Sequence, residues 1–174
     1  MNETVVISVS RKQRPPEVLL RRLMAVLAVV FLLQGILFST GFMLPCFCMA
    51  LCYFWYSITS KREYEYTLED GHLKIERVSD RGRRCLHDIP FDKITLLCNP
   101  DAPEAQPYKK GGSIKIPKAD YTSYREDVPY YTVIAEEDGS PVKLLLDLNT
   151  EAIRMIRRRR PEAVPGDIKM ADPV

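Results

Sequence analysis

The chain has 174 residues and sets 25 Lys and Arg against 23 Asp and Glu, a formal charge of +2. That length leaves room for about one soluble domain beyond any membrane segment. Acids and bases are interspersed and no DNA- or RNA-binding motif occurs, so nucleic acid is not an expected partner. The mean hydropathy of −0.16 averages one intensely apolar block with a highly charged remainder, and the two parts need separate readings.

Residues 1–18 carry Arg11, Lys12 and Arg14 and read as an N-terminal segment on the cytoplasmic side. From Leu23 to Ser60 there is no Asp, Glu, Lys, Arg or His, and Gln34 is the only strongly polar side chain before the closing Ser-Ile-Thr-Ser. One straight helix of that length would run roughly 57 Å against a hydrocarbon core of about 30 Å, so two spans fit better than one. Ser39, Thr40, Gly41 and Pro45 break the Val/Leu/Phe pattern midway and place a hairpin tip near Gly41. Leu19 and Leu20 extend the first arm, giving a transmembrane hairpin over 19–60. Arg11, Lys12, Arg14, Arg21 and Arg22 precede it and Lys61 and Arg62 follow it, so the positive-inside bias puts both termini in the cytoplasm of a two-span membrane protein. A single span with an external C-terminal domain is the rival topology. A cleaved signal peptide fits poorly, because the apolar run is too long and lacks an Ala-x-Ala-like site. Tyr53, Phe54, Trp55 and Tyr56 would form an interfacial belt on the second arm.

Beyond Arg62 the period changes to two. Tyr64, Tyr66 and Leu68 alternate with polar residues, Glu69-Asp70-Gly71 makes a hairpin turn, and Leu73, Ile75 and Val78 return. Cys85–Ile89 and Ile94–Cys98 follow, so the simple reading is a four-stranded meander. Prolines and glycines from Asn99 to Gly112 predict a long excursion with a short helix at most. A weak strand at Ser113–Ile116 comes next, then a hairpin of Tyr130–Glu136 and Val142–Leu148 around Asp138-Gly139. Asn149 or Thr150 caps a helix with an apolar face of Ala152, Ile153 and Ile156, and Pro161 ends it. The β domain with its helix thus covers 61–161, and 162–174 reads as a loose tail.

About seven strands followed by one amphipathic helix is the order of a pleckstrin-homology-like barrel or sandwich. Two spans, then EYEYTLEDGHLKIERV and RGRRCLHDIPFDKITLL, resemble the bacterial membrane-anchored PH-like proteins. The chain is more closely similar to a bacterial two-span family of unknown function sharing the EYEY and DG-L-I segments, over about Leu19 to Pro161. The long excursion departs from the compact PH pattern. These motifs are structural, and the resemblance implies no catalytic residue.

The residues themselves offer no reaction either. Cys46, Cys48 and Cys52 lie in the second arm as small hydrophobes without a His or carboxylate to complete a metal site. Cys85 and Cys98 stand singly and suit free thiols in a reducing compartment, although counting alone leaves one bridge between them open. His72 and His87 fall in no metal or nucleophile motif, and a lone strand histidine is more often structural. No cofactor, no metal and no enzymatic activity are expected.

Basic residues crowd Arg81, Arg83 and Arg84, then Lys109 and Lys110, then Arg157, Arg158, Arg159 and Arg160 at the helix end. Cations there complement the helix dipole without any ligand. Next to an anionic leaflet each also gains about 1 kcal/mol, which favours non-specific lipid-surface contact over a shaped head-group pocket. Two function classes follow. One is a membrane-tethered, non-enzymatic binding or scaffold module, contacting lipid or an unidentified protein through strand edges, the Tyr121–Tyr131 segment or the excursion. The other is an accessory subunit of a membrane-embedded enzyme or transporter, which would call for polar groups within the spans where only Gln34 and a few hydroxyls occur.

Overall fold

A computed structural model describes residues 4–13, 15–59, 62–79, 82–109, 111–166 and 168. Arg14, Lys61, Arg81, Lys110 and most of the tail beyond 166, all weighed above, lie outside the described residues. The chain divides into two compact units, one made of residues 12–62 and one of residues 1–11 together with 63–174.

The first unit is a helical hairpin. Helix α1 (Pro15–Leu37) and helix α2 (Met43–Thr59) pack on each other around a single turn at Thr40–Phe42, where the Ser39 hydroxyl accepts from the Gly41 amide at 3.3 Å. Pro45 falls in the first turn of α2, where an amide would have no intrahelical acceptor, so it starts the second arm without breaking it. At 23 residues and, with its leading turn, 20 residues, both arms are long and apolar enough to cross a membrane. Almost none of their residues are buried, unlike the core helix of a soluble protein, and Leu23, Val29, Phe38, Leu44, Phe47 and Trp55 stand exposed.

The second unit is a β-sandwich with one helix. Its first strand, β1 (Val5–Ser10), lies ahead of the hairpin, in a segment that the sequence reading kept apart from the β domain. It pairs antiparallel with β2 (Glu63–Glu69), Val5 opposite Leu68 and Ser10 opposite Glu63. β3 (His72–Ser79) and β4 (Gly82–Pro90) complete a sheet in the order β1-β2-β3-β4. A short strand whose partner lies beyond a long apolar insert carries no local pairing signal, which is why its role was not legible.

The meander expected from four consecutive strands ends after β4. Pro90 has no amide to donate, the Phe91 amide bonds to the Gly71 carbonyl at 2.7 Å, and the turn Phe91–Lys93 carries the chain round a corner. β5 (Ile94–Cys98) therefore enters a second sheet, ordered β5-β7-β8-β6, with β6 (Lys118–Asp120), β7 (Tyr131–Glu137) and β8 (Ser140–Leu146). The weak strand expected at 113–116 is absent. The strand there is β6, parallel to β8, and Ile114 is exposed. Among the described residues there are eight strands instead of about seven, and the two sheets do not close into a barrel.

Both tight hairpins have the primed geometry that right-twisted strands require: Asp70 and Asp138 sit at φ 50°, followed by Gly71 and Gly139 at 83° and 75°. β7 and β8 are buried through runs of consecutive residues, the mark of a strand covered on both faces. One cover is the excursion. Lys143, nearly buried on β8, donates to the Tyr108 carbonyl at 3.0 Å, and Gly112 sits where an added Cβ would lie 2.3 Å from the Pro107 carbonyl oxygen. The other cover is the core, where Tyr66, Leu68, Leu73 and Ile75 of the first sheet meet Leu97, Leu144 and Leu146 of the second in one cluster. Helix α3 (Thr150–Arg159) adds Ala152, Ile153 and Ile156 to it and is capped by Asn149, whose side chain accepts from the Ala152 amide at 2.8 Å.

Because β1 contributes buried Val9 and closes the edge of β2, a chain beginning at residue 61 lacks part of the fold. Replacing residues 12–62 by a four-residue glycine-rich turn, which joins Arg11 to Glu63 beside the Ser10–Glu63 pair, should give a soluble protein that unfolds cooperatively by circular dichroism. The 61–164 fragment should be weaker by at least the about 1.5–3 kcal/mol of one buried aliphatic side chain. Equal stability of the two would show that β1 does not belong to the folding unit.

Candidate functional site

The richest polar cluster of the β unit gathers where β1 ends, around a side chain that the sequence reading counted as a membrane flank. Arg11 donates to the carbonyls of Thr122 at 3.1 Å and Asp120 at 2.5 Å and pairs with the Asp120 carboxylate at 3.1 Å. Its guanidinium lies 4.2 Å from the Tyr124 ring centre and 5.5 Å from that of Tyr64. Asp120 is occupied further by the Thr122 amide and hydroxyl and the Tyr124 hydroxyl.

Next to this clamp the two sheets are pinned together. Tyr66, fully buried on β2, donates its hydroxyl to the Tyr121 carbonyl at 2.7 Å, and the Tyr121 ring stands edge-on to Tyr64. His87 on β4 has Nδ1 2.6 Å from the Glu137 carboxylate on β7 and Nε2 2.7 Å from the Tyr121 hydroxyl. A carboxylate only accepts, so Nδ1 carries the proton in that contact. Burial raises both Tyr66 and Tyr121 above the ordinary phenol range and keeps them neutral donors. His87 is therefore a structural bridge, and exposed His72 pairs with Asp88 at 2.9 Å on the neighbouring strand.

Asp147, 5% exposed at the end of β8, accepts from the Ser123 amide at 2.8 Å. Burial is the main reason its carboxyl lies above the ordinary value of 3.8, with the Ser123 bonds opposing. It borders a cleft of about 900 Å³ whose walls include Cys98, Pro103, Tyr124, Val128 and Tyr130. Cys98 is fully buried at this wall, and burial, with Glu104 adding to it, pushes its thiol up to about 11, so it is protonated at neutral pH and a poor nucleophile. All five cysteines are free, Cys85 exposed and Cys98 buried. Among the described residues no group of three His, Cys, Asp or Glu is placed to hold a metal ion. The polar groups of this cluster are hydrogen-bonded to one another, and among the described residues it brings no activated nucleophile and base together.

The four arginines at the end of α3 separate into two pairs. Arg157 donates to the Pro165 carbonyl at 2.9 Å, and Arg160 donates to the Asp92 carbonyl and pairs with Glu162 at 2.5 Å. Both tie the chain after the helix to the domain. Arg158 and Arg159 are exposed.

Among the described residues the chain thus combines two apolar helices, a sandwich of eight strands and a helix after the last strand. Residues 3–165 match the family described as Bacterial PH-like domain (DUF6106). The chain belongs to that family. No curated protein and no solved structure matches it. The family's span begins ahead of β1 and runs past α3, so this PH-like domain includes the strand on the far side of the hairpin.

The buried carboxyl of the PH-like domain gives a pH test. A folded-state acidity shifted upward means that the folded chain holds this proton more tightly than the unfolded one, so Asp147 disfavours the fold at neutral pH and is relieved on acidification. Between about pH 7 and about pH 4 the stability of the parent relative to Asp147→Asn should rise in urea unfolding. A difference that stays constant with pH would show that Asp147 has ordinary acidity.

Proposed function

We propose that this PH-like protein is a membrane-anchored, non-enzymatic binding module, held at the cytoplasmic face of the cell membrane by its helical hairpin. The observation that carries this is the exposed apolar surface of α1 and α2, inserted between two strands that pair with each other. Exposed aliphatic and aromatic side chains over two helices of spanning length are stable in lipid and not in water. Membership of a PH-like family supports a module that binds or scaffolds over one that catalyses.

Orientation rests on the basic flanks. Arg11 is engaged within the β unit, which leaves Lys12, Arg21, Arg22 and Arg62 as the described cations beside the apolar arms. They still favour cytoplasmic termini. An alkaline phosphatase fusion after residue 174 should be inactive in a bacterial host and a cytoplasmic reporter at the same point active. An active phosphatase fusion would establish the single-span topology.

Arg158 and Arg159 are then the residues of the 157–160 cluster best placed to meet anionic lipid, while Arg157 and Arg160 act on the chain that follows the helix. At about 1 kcal/mol for each cation near the surface, changing both outer arginines to glutamine should weaken sedimentation of the 12–62-deleted protein with phosphatidylserine vesicles by roughly tenfold or more. Added salt should weaken the parent similarly, because surface charges are screened over about 8–10 Å. The Arg157→Gln and Arg160→Gln pair should lower thermal stability instead. Undiminished vesicle binding by the outer pair would leave α3 as a dipole-complemented helix end, and a strong preference among lipids of equal charge would indicate a shaped pocket.

A further inference from the structure

The four sheet edges of the β unit are treated differently. β4, the edge opposite β1, carries Arg83 and Arg84 and an irregularity in its pairing between Ile75 and Glu76. β6 is three residues long, and β5 packs against the turn at 161–163. Charges, bulges, short length and covering chain are the usual ways of blunting an edge. β1 has none of them. Its six residues Val5–Ser10 include no charge, proline or glycine, no strand lies beyond it among the described residues, and Val6 is 56% exposed.

A groove of about 610 Å³ runs along this edge. Ile7, Val9, Val128, Pro129 and Leu148 supply its apolar surface, and the first turn of α3 stands on its far side. We propose that β1 accepts an extended, basic segment of a partner protein as an added strand, whose alternate apolar side chains enter this groove. Pairing along the open edge would satisfy the outward backbone groups, and the period of two would send every second side chain to the groove side.

Two observations choose the occupant. In a second copy of this chain Val5, Ile7 and Val9 already pack against their own core, so a β1-to-β1 pairing would bring no side chain to fill the groove. The charge around it is negative: Asp127, Asp147 and Glu151 line it against a single cation, Arg125, which is paired with Asp127 at 2.6 Å, and exposed Glu63 lies across from Ser10 at the strand end. Lysine or arginine at the positions between the apolar residues complements that rim. The surface is distinct from the arginine end of α3, and the inference does not depend on lipid binding there.

The test uses the full chain in nanodiscs of uncharged phosphatidylcholine, so that anionic lipid plays no part. The probe is a fluorescein-labelled octapeptide alternating valine with lysine, beside a counterpart alternating valine with glutamate. The lysine peptide should bind by anisotropy, slow amide hydrogen exchange within residues 5–10, and fail when its alternate amides are N-methylated. The glutamate peptide should bind more weakly. Glu151→Gln and Asp127→Asn should each weaken the lysine peptide by about two- to fivefold, the range of one exposed charge pair, without changing the thermal midpoint. No binding up to about 1 mM overturns the proposal. So does equal binding of both peptides, or binding that leaves residues 5–10 unprotected. Protection of 5–10 that grows with protein concentration and needs no peptide would assign the edge to a second copy and overturn it equally.

Discussion

The guanidinium of Arg11 is the contact on which the arrangement of the β unit turns. It follows directly on β1, and with its donors spent on Asp120 and Thr122 and its face over Tyr124 it fixes the end of that strand to the 120–124 segment. That segment holds Tyr121, which receives the hydroxyl of buried Tyr66 and meets His87 from the opposite sheet. Charge-assisted bonds in a partly buried site are roughly twice as strong as neutral ones, and a planar donor serves several acceptors at once. Lysine could not replace that geometry. One residue thus joins the chain ahead of the hairpin, the first sheet, and the loop between β6 and β7 of the second.

This clamp bears on a topological problem. β1 and β2 are nearest neighbours in the sheet and are separated in sequence by the whole helical hairpin, so their pairing closes a loop of some fifty residues. Closing a loop that long costs entropy that a local hairpin does not. The helices reduce the cost because, once paired with each other, they hold the two ends of the insert as one short connection does. The sandwich thus depends on a strand that arrives from before the helical hairpin.

The polar groups of the domain are largely committed to architecture. His87 and Glu137, Asp120 and Arg11, Asp147 and Ser123, Lys143 and Tyr108 each join elements distant in sequence. Arg158 and Arg159 and the uncharged strand β1 are among the features that face outward. A PH-like domain built this way uses many of its titratable groups to hold two sheets together.

The apolar block, its midpoint break, the two Asp-Gly turns and the capped C-terminal helix were legible in the sequence, because each is set within a few residues: an uncharged run long enough for two spans, positive φ at Asp70-Gly71 and Asp138-Gly139, an asparagine side chain at the first turn of α3. From these and the order of strands the PH-like class followed. Which strand pairs with which was settled by tertiary structure alone. Period-two patterning marks Ile94–Cys98 as a strand and is silent on its partner, β7, which lies beyond the 99–112 excursion, and the partner of Val5–Ser10 lies beyond the whole helical hairpin. The same holds for the charges. Arg11, Arg157 and Arg160 look like free surface cations in the sequence, and only folding brings to them the carbonyls and carboxylates that occupy them. Secondary structure is a property of neighbours along the chain, whereas pairing and charge satisfaction depend on groups that sequence distance hides.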